Sequence, residues 1–160
     1  MSTFNQIKHL IIADDDEDDQ MLLKEAIHEY STDIQCTPLG DGRQLINFLK
    51  KSNASDLLLL DLNMPYKNGM ECLIEIRAME SLQHLPIVIL STSRNVRDIE
   101  LCYTHGANLF FTKPNSFILL KQLIHSILKI NWSDFKPISS KQKFTQIAHS
   151  GLAPAIEELI

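Results

Sequence analysis

Short apolar runs alternate with amphipathic stretches five times along residues 1–130. The first run is Leu10-Ile11-Ile12-Ala13, and Met21, Leu22, Leu23, Ala26 and Ile27 follow it at the spacing of one helical face. Ile34 to Leu39 reads as a weaker strand, and Pro38 within it, having no N–H to offer a neighbour, predicts an edge position. After the turn signal Gly40-Asp41-Gly42, Leu45, Ile46, Phe48 and Leu49 give a second helical face. Leu57-Leu58-Leu59-Leu60 and Ile87-Val88-Ile89-Leu90 do not alternate with polar residues. Strands apolar on both sides predict the centre of a parallel sheet covered on both faces. Between these two, Met70, Leu73, Ile74 and Ile76 form a third helical stripe. Ile99, Leu101 and Cys102 mark a shorter fourth helix ended by Gly106. Leu109-Phe110-Phe111 is the fifth strand, and Phe117, Ile118, Leu120, Leu123, Ile124, Ile127 and Leu128 make a strongly apolar fifth helix.

Five strand–helix units in succession predict an α/β fold: a doubly wound, five-stranded parallel sheet with right-handed crossovers and helices on both faces. Residues 131–160 break the alternation. Trp132, Phe135 and Pro137 lead to Phe144, Ile147 and Ala148, then to Leu152, Ala155, Ile156, Leu159 and Ile160. This predicts one or two short helices divided at Ser150-Gly151, an extension of the domain at 1–130. A winged helix or helix-turn-helix output domain needs more chain and a basic face. The extension is too apolar for a solvated linker. Trp132, Phe135 and Phe144 are expected to pack on the main domain or on a second copy of the chain, which would make a homodimer.

Composition narrows the class. In 160 residues, 44% hydrophobic and 22% charged positions exclude a disordered chain, and Gly 5 with Cys 3 exclude collagen-like and disulfide-scaffold proteins. Cys36, Cys72 and Cys102 are far apart, without metal or redox spacing, and read as reduced core thiols of a cytoplasmic protein. The N-terminus has no basic-then-apolar leader, and no apolar run nears the ~20 residues that span a bilayer, so no membrane is expected. Twenty acids against 15 bases give a net charge of -5, with no basic cluster, which argues against nucleic acid. The six His residues show no ligand spacing. The acids, however, are concentrated: Asp14 to Asp19 are six in a row.

The strand ends carry the chemistry. The first strand ends in Asp14-Asp15, the third in Asp61, the fourth in Ser91-Thr92 and the fifth in Thr112-Lys113-Pro114. In a parallel sheet these groups meet at one edge, where open α/β sheets place their sites. Two unit charges at 4 Å repel by about 4 kcal/mol at an effective dielectric of 20, so gathered carboxylates call for a cation. An all-oxygen site that keeps several waters suits Mg²⁺. Lys113 adds a second cation, and metal, ammonium and hydroxyl together fit a phosphoryl group. Asp61, ending the central strand, is the expected nucleophile through an acyl phosphate. Asp18 and Asp19 read as acids complementing a helix dipole, and Ser93 or Asn95 as the helix cap after Ser91.

These motifs resemble the receiver domain of two-component response regulators, over residues 6–130. The matching stretches are Ile11-Ile12-Ala13-Asp14-Asp15-Asp16, Leu58-Leu59-Leu60-Asp61-Leu62-Asn63-Met64-Pro65, Gly69, Pro86-Ile87-Val88-Ile89-Leu90-Ser91 and Phe111-Thr112-Lys113-Pro114. The resemblance implies the strand order 2-1-3-4-5. It implies Asp61 as phospho-acceptor, with Asp14, Asp15 and the Asn63 carbonyl joining it around Mg²⁺. It implies Ser91 as switch hydroxyl, Lys113 as phosphate-binding lysine, Phe110 as aromatic switch and a cis Lys113–Pro114 peptide. Thr92 stands where the family favours a small residue. A phospho-histidine on a sensor histidine kinase or phosphotransfer protein is the implied donor, and the kinase is chosen by the first helix around Gln20 to Glu25. Output is implied through the face of helix 4, strand 5 and helix 5, toward a downstream protein the sequence does not name. The chain would be no enzyme in the ordinary sense, but would catalyse its own phosphorylation and dephosphorylation.

Two other classes share parts of this pattern. A haloacid-dehalogenase-type phosphatase also uses an Asp nucleophile, but wants a second Asp two residues later, where Asn63 stands. A phosphorylation-independent binding module would not need Asp14, Asp15, Asp61, Ser91 and Lys113 together.

Overall fold

The computed structural model describes residues 7–52 and 55–150. Strands β1 (His9–Ala13), β2 (Gln35–Leu39), β3 (Leu57–Leu60), β4 (Ile87–Ser91) and β5 (Leu109–Thr112) form one parallel sheet in the order β2-β1-β3-β4-β5. The doubly apolar runs β3 and β4 are buried at every position, as a sheet covered on both faces requires. β2, with Pro38 opposite Ile12, lies at the edge, where a residue without an N–H is tolerated.

Helices α1 (Glu17–Tyr30), α2 (Gly42–Lys51), α3 (Gly69–Ala78), α4 (Val96–Thr104) and α5 (Phe117–Lys129) follow the strands in turn. α1 packs with α5, and α2 with α3, so the sheet is sandwiched. Each helix starts where a strand has just ended, and each start is capped by a side chain. Asp16, Asp41, Asn68, Asn95 and Ser116 accept backbone N–H groups that would otherwise be unpaired. Of the two cap candidates after Ser91, Asn95 takes the role.

The helical stripes are narrower than the apolar sequence pattern. Met21, Ile74, Leu101 and Ile118 are exposed, while Leu23, Ile76, Ile99 and Leu120 are buried. Each exposed member lies two positions from its buried counterpart, which places it about 200° around a helix of 3.6 residues per turn.

Residues beyond 130 form one described helix, α6 (Lys141–Ser150), which packs against β5 and α4. Phe144, Ile147 and Ala148 are buried there. Trp132 and Phe135 pack together, with ring centroids 4.8 Å apart, and lie against the core. The three aromatics therefore find their place on the same chain. The expected apolar stripe from Leu152 to Ile160 lies outside the described residues. Among the described residues, no helix is long and apolar enough to cross a membrane.

Candidate functional site

Register brings the strand ends together. Ala13 pairs with Leu60, so Asp14 and Asp61 are the next residues on adjacent strands. The ladder continues through them: the Asp14 N–H donates to the Leu39 carbonyl at 3.0 Å, and the Asp61 N–H to the Ala13 carbonyl at 2.9 Å. On the other side Ser91 pairs with Thr112, and the Lys113 N–H donates to the Ser91 carbonyl at 2.8 Å. The backbone at each functional position is thus fixed by the sheet before any side chain is considered.

Asp14 and Asp61 are buried, whereas Asp15 is exposed. One carboxylate oxygen from each of Asp14, Asp15 and Asp61 lies within 4.8 Å of the other two. Lys113 Nζ donates to Oδ2 of Asp14 at 2.7 Å, of Asp19 at 2.9 Å and of Asp61 at 3.1 Å. Its three N–H donors are therefore all used. The other Asp61 oxygen, Oδ1, accepts the Asn63 N–H at 3.2 Å, and Asp14 Oδ1 accepts the Asp16 N–H at 2.9 Å.

Burial pushes the Asp14 carboxyl up from its ordinary value, against the pull of Lys113 and the Asp16 N–H; the charge of Asp61 adds to the rise. For Lys113, burial alone would lower the pKa. Hydrogen bonds to Asp14 and Asp19 and the charges of Asp61 and Asp14 outweigh it and raise the value, so the ammonium stays charged. Three carboxylates hold one ammonium and a fourth, Asp15, lies beside two of them, which leaves negative charge unbalanced. Hard oxygen donors, two buried and one open to solvent, fit a divalent cation that keeps part of its water shell.

The remaining expected residues fall near this centre in different ways. Asn63 is exposed on the loop after β3. Ser91 is fully buried and its Oγ accepts the Ser93 N–H at 3.2 Å. It makes no hydrogen bond to Asp61. Thr92 is exposed, and Ser93 Oγ bonds Asp98 at 2.8 Å. Phe110 has no exposed surface. It pairs with Ile89, and because strand side chains alternate it shares a sheet face with Ser91.

Two expectations are corrected. The described residues contain no cis peptide bond, so Lys113–Pro114 is trans. Trans is favoured before Pro by about 0.5–1 kcal/mol, and with it the ammonium already reaches Asp14 and Asp61. Asp19 is also more than a complement to a helix dipole, since it holds Lys113 directly. A first-turn acid five residues past Asp14 gives no signal of this in sequence; only the fold turns it toward the lysine.

The chain matches the family model described as response regulator receiver domain over residues 10–125. It is similar to the response regulator Rcp1 of Synechocystis sp., 31% identical over 129 residues covering 77% of this chain and 88% of Rcp1. Among solved structures it is similar to the Mn²⁺-bound form of Rcp1, with TM-score 0.72 and 28% identity over 82% of this chain and 99% of that one. It is also similar to the phosphorylated cyanobacterial phytochrome response regulator RcpA, with TM-score 0.74 and 30% identity over 84% of this chain and 99% of that one.

Proposed function

Given that the chain belongs to the response regulator receiver domain family, we propose that it is a cytoplasmic phospho-acceptor in which Asp61 carries the phosphoryl group. The observation that carries this reading is the meeting of Asp14, Asp15 and Asp61 with Lys113 at one sheet edge.

Asp14, Asp15, Asp61 and the Asn63 carbonyl would hold Mg²⁺, a reading supported by the carboxylate cluster and by the Mn²⁺-bound form of the similar protein Rcp1. When bound, the ion supplies charge neutralisation for the phosphoryl oxygens. The chain's own residues do the rest. A carboxylate oxygen of Asp61 forms a bond to phosphorus as the P–N bond of a phospho-histidine breaks, and the imidazole nitrogen keeps the electron pair. Lys113 transfers hydrogen bonding from the carboxylates to a phosphoryl oxygen. Ser91 leaves the Ser93 N–H and turns its hydroxyl toward the new group. The space it vacates lets Phe110 turn inward, and this changes the surface around α4, β5 and α5. The chain does not act on a separate substrate; it catalyses its own phosphorylation and the hydrolysis of its own aspartyl phosphate.

The donor is a sensor histidine kinase or phosphotransfer protein. A groove of about 250 Å³ beside Lys113, lined by Leu22, Leu23, Phe117 and Leu120, supports docking of a helix that presents the phospho-histidine.

The test is incubation with acetyl phosphate and Mg²⁺ followed by intact mass. The expected result is an adduct of roughly 80 Da that is absent from Asp61→Asn. Turnover of many phosphate esters without an adduct would instead favour a phosphatase, and no adduct in the folded protein a binding module.

A further inference from the structure

The α4–β5 face is covered by the chain itself. α6 lies across both elements and closes the open edge of β5. Its buried residues, Phe144, Ile147 and Ala148, stand at i, i+3 and i+4, the anchor spacing of a helix lying in a groove. The Phe144 ring packs against that of Tyr103 on α4, with centroids 5.2 Å apart. The Tyr103 hydroxyl donates to the Ile138 carbonyl at 3.0 Å, which pins the segment entering α6. The rest of α6 is polar: Lys141, Gln142, Lys143, Gln146 and His149 are exposed.

We propose that α6 is an intramolecular ligand of the α4–β5 face, and that phosphoryl transfer to Asp61 loosens its hold and uncovers that face. The proposal rests on the phospho-acceptor reading above. Three observations lead to it. α6, described over Lys141–Ser150, buries one stripe and exposes the rest, and most helical stability in proteins comes from packing such a face, so its order depends on docking. It docks through one narrow stripe and a short tether, a contact that a modest coupling can shift. And Phe110, fully buried on the strand that α6 covers, shares a sheet face with Ser91. A ring that turns toward Ser91 changes the packing of β5, the strand against which α6 rests, and so biases the docked helix toward release. A partner that reads the α4–β5 face must compete with α6, and gains affinity when α6 is loosened.

Coupling between two sites is reciprocal. If loading Asp61 loosens α6, loosening α6 must favour loading of Asp61 by the same factor. The experiment is hydrogen exchange on the full chain, with and without Mg²⁺ and beryllofluoride as phosphoryl mimic. Amides of residues 141–150 are expected to exchange at least about 5-fold faster on loading, with those of α2 unchanged and Asp61→Asn showing no response. Phe144→Ala is expected to bind beryllofluoride tighter by that factor. Tyr103→Phe, which loses only the bond to Ile138, should show the same change in smaller measure, and serves if Phe144→Ala does not fold. Unchanged or slower exchange in α6, in protein that forms the acetyl phosphate adduct, overturns the proposal alone. Failure to form the adduct overturns the phospho-acceptor reading and this proposal with it.

Discussion

Gly69 sets how the Asp61 backbone is carried past the end of β3. A methyl group built on it would lie 2.2 Å from the backbone oxygen of Asp61, and its N–H donates to the Leu62 carbonyl at 2.9 Å. Gly69→Ala therefore has to push the turn after β3 outward. We expect a loss of about 1–3 kcal/mol in denaturant unfolding and at least tenfold slower labelling by acetyl phosphate. Normal labelling would show that the turn yields without moving Asp61. Burial pushes the thiols of Cys72 and Cys102 up to about 12, so both stay protonated and unreactive near pH 8. A thiol reagent at that pH should modify only half-buried Cys36 in the native protein, and all three cysteines after denaturation, read by intact mass. Raising the pH should not expose the two buried thiols to reaction until it approaches their raised values. At this scale Asp14, Asp15, Asp61 and Lys113 could be read from sequence because each ends a strand. Asp19 could not, because a charged residue in a first helical turn looks the same whether or not a lysine faces it.

At the scale of elements, Arg77 joins pieces that the hydrophobic pattern leaves separate. From the end of α3 its Nε donates to the Gly106 carbonyl at 2.9 Å, Nη1 to Leu82 at 3.0 Å and Nη2 to Asn108 Oδ1 at 2.9 Å. The same Asn108 oxygen accepts the Ile87 N–H at 2.8 Å, which fixes the start of β4. Gly106 itself has φ 92°, a left-handed turn that its lack of a side chain permits. Arg77→Ala is expected to cost about 2–4 kcal/mol in chemical denaturation, since it leaves several acceptors unpaired. Arg77→Lys should recover little, because an ammonium lacks the planar fork that reaches three partners. A loss below about 0.5 kcal/mol would mean that water replaces the guanidinium. The strands and helices themselves follow from local spacing, and so does the edge position of β2 from Pro38. The Arg77 junction does not, because Gly106 and Asn108 lie 29 and 31 positions further along the chain.

For the molecule as a whole, the acidic edge is a source of strain that a cation relieves. Mg²⁺ binding only to the folded state should stabilise it by about 2.7 kcal/mol at a hundredfold excess over Kd. The rise in Tm should be reversed by chelator and largely lost in Asp15→Asn; an equal rise in that variant would place the ion elsewhere. The layered α/β class, the five strands and the groups at their ends are legible in the order of residues alone. Periodicity and strand order along the chain are local properties, and a parallel sheet leaves few ways to arrange them. Which of those groups touch is settled by the folded arrangement. It joined Lys113 to Asp19 as well as to Asp14 and Asp61, left Lys113–Pro114 trans, and laid α6 over α4 and β5. Those outcomes depend on contacts between residues tens of positions apart, where the free energy of packing, and not the propensity of any segment, selects the arrangement.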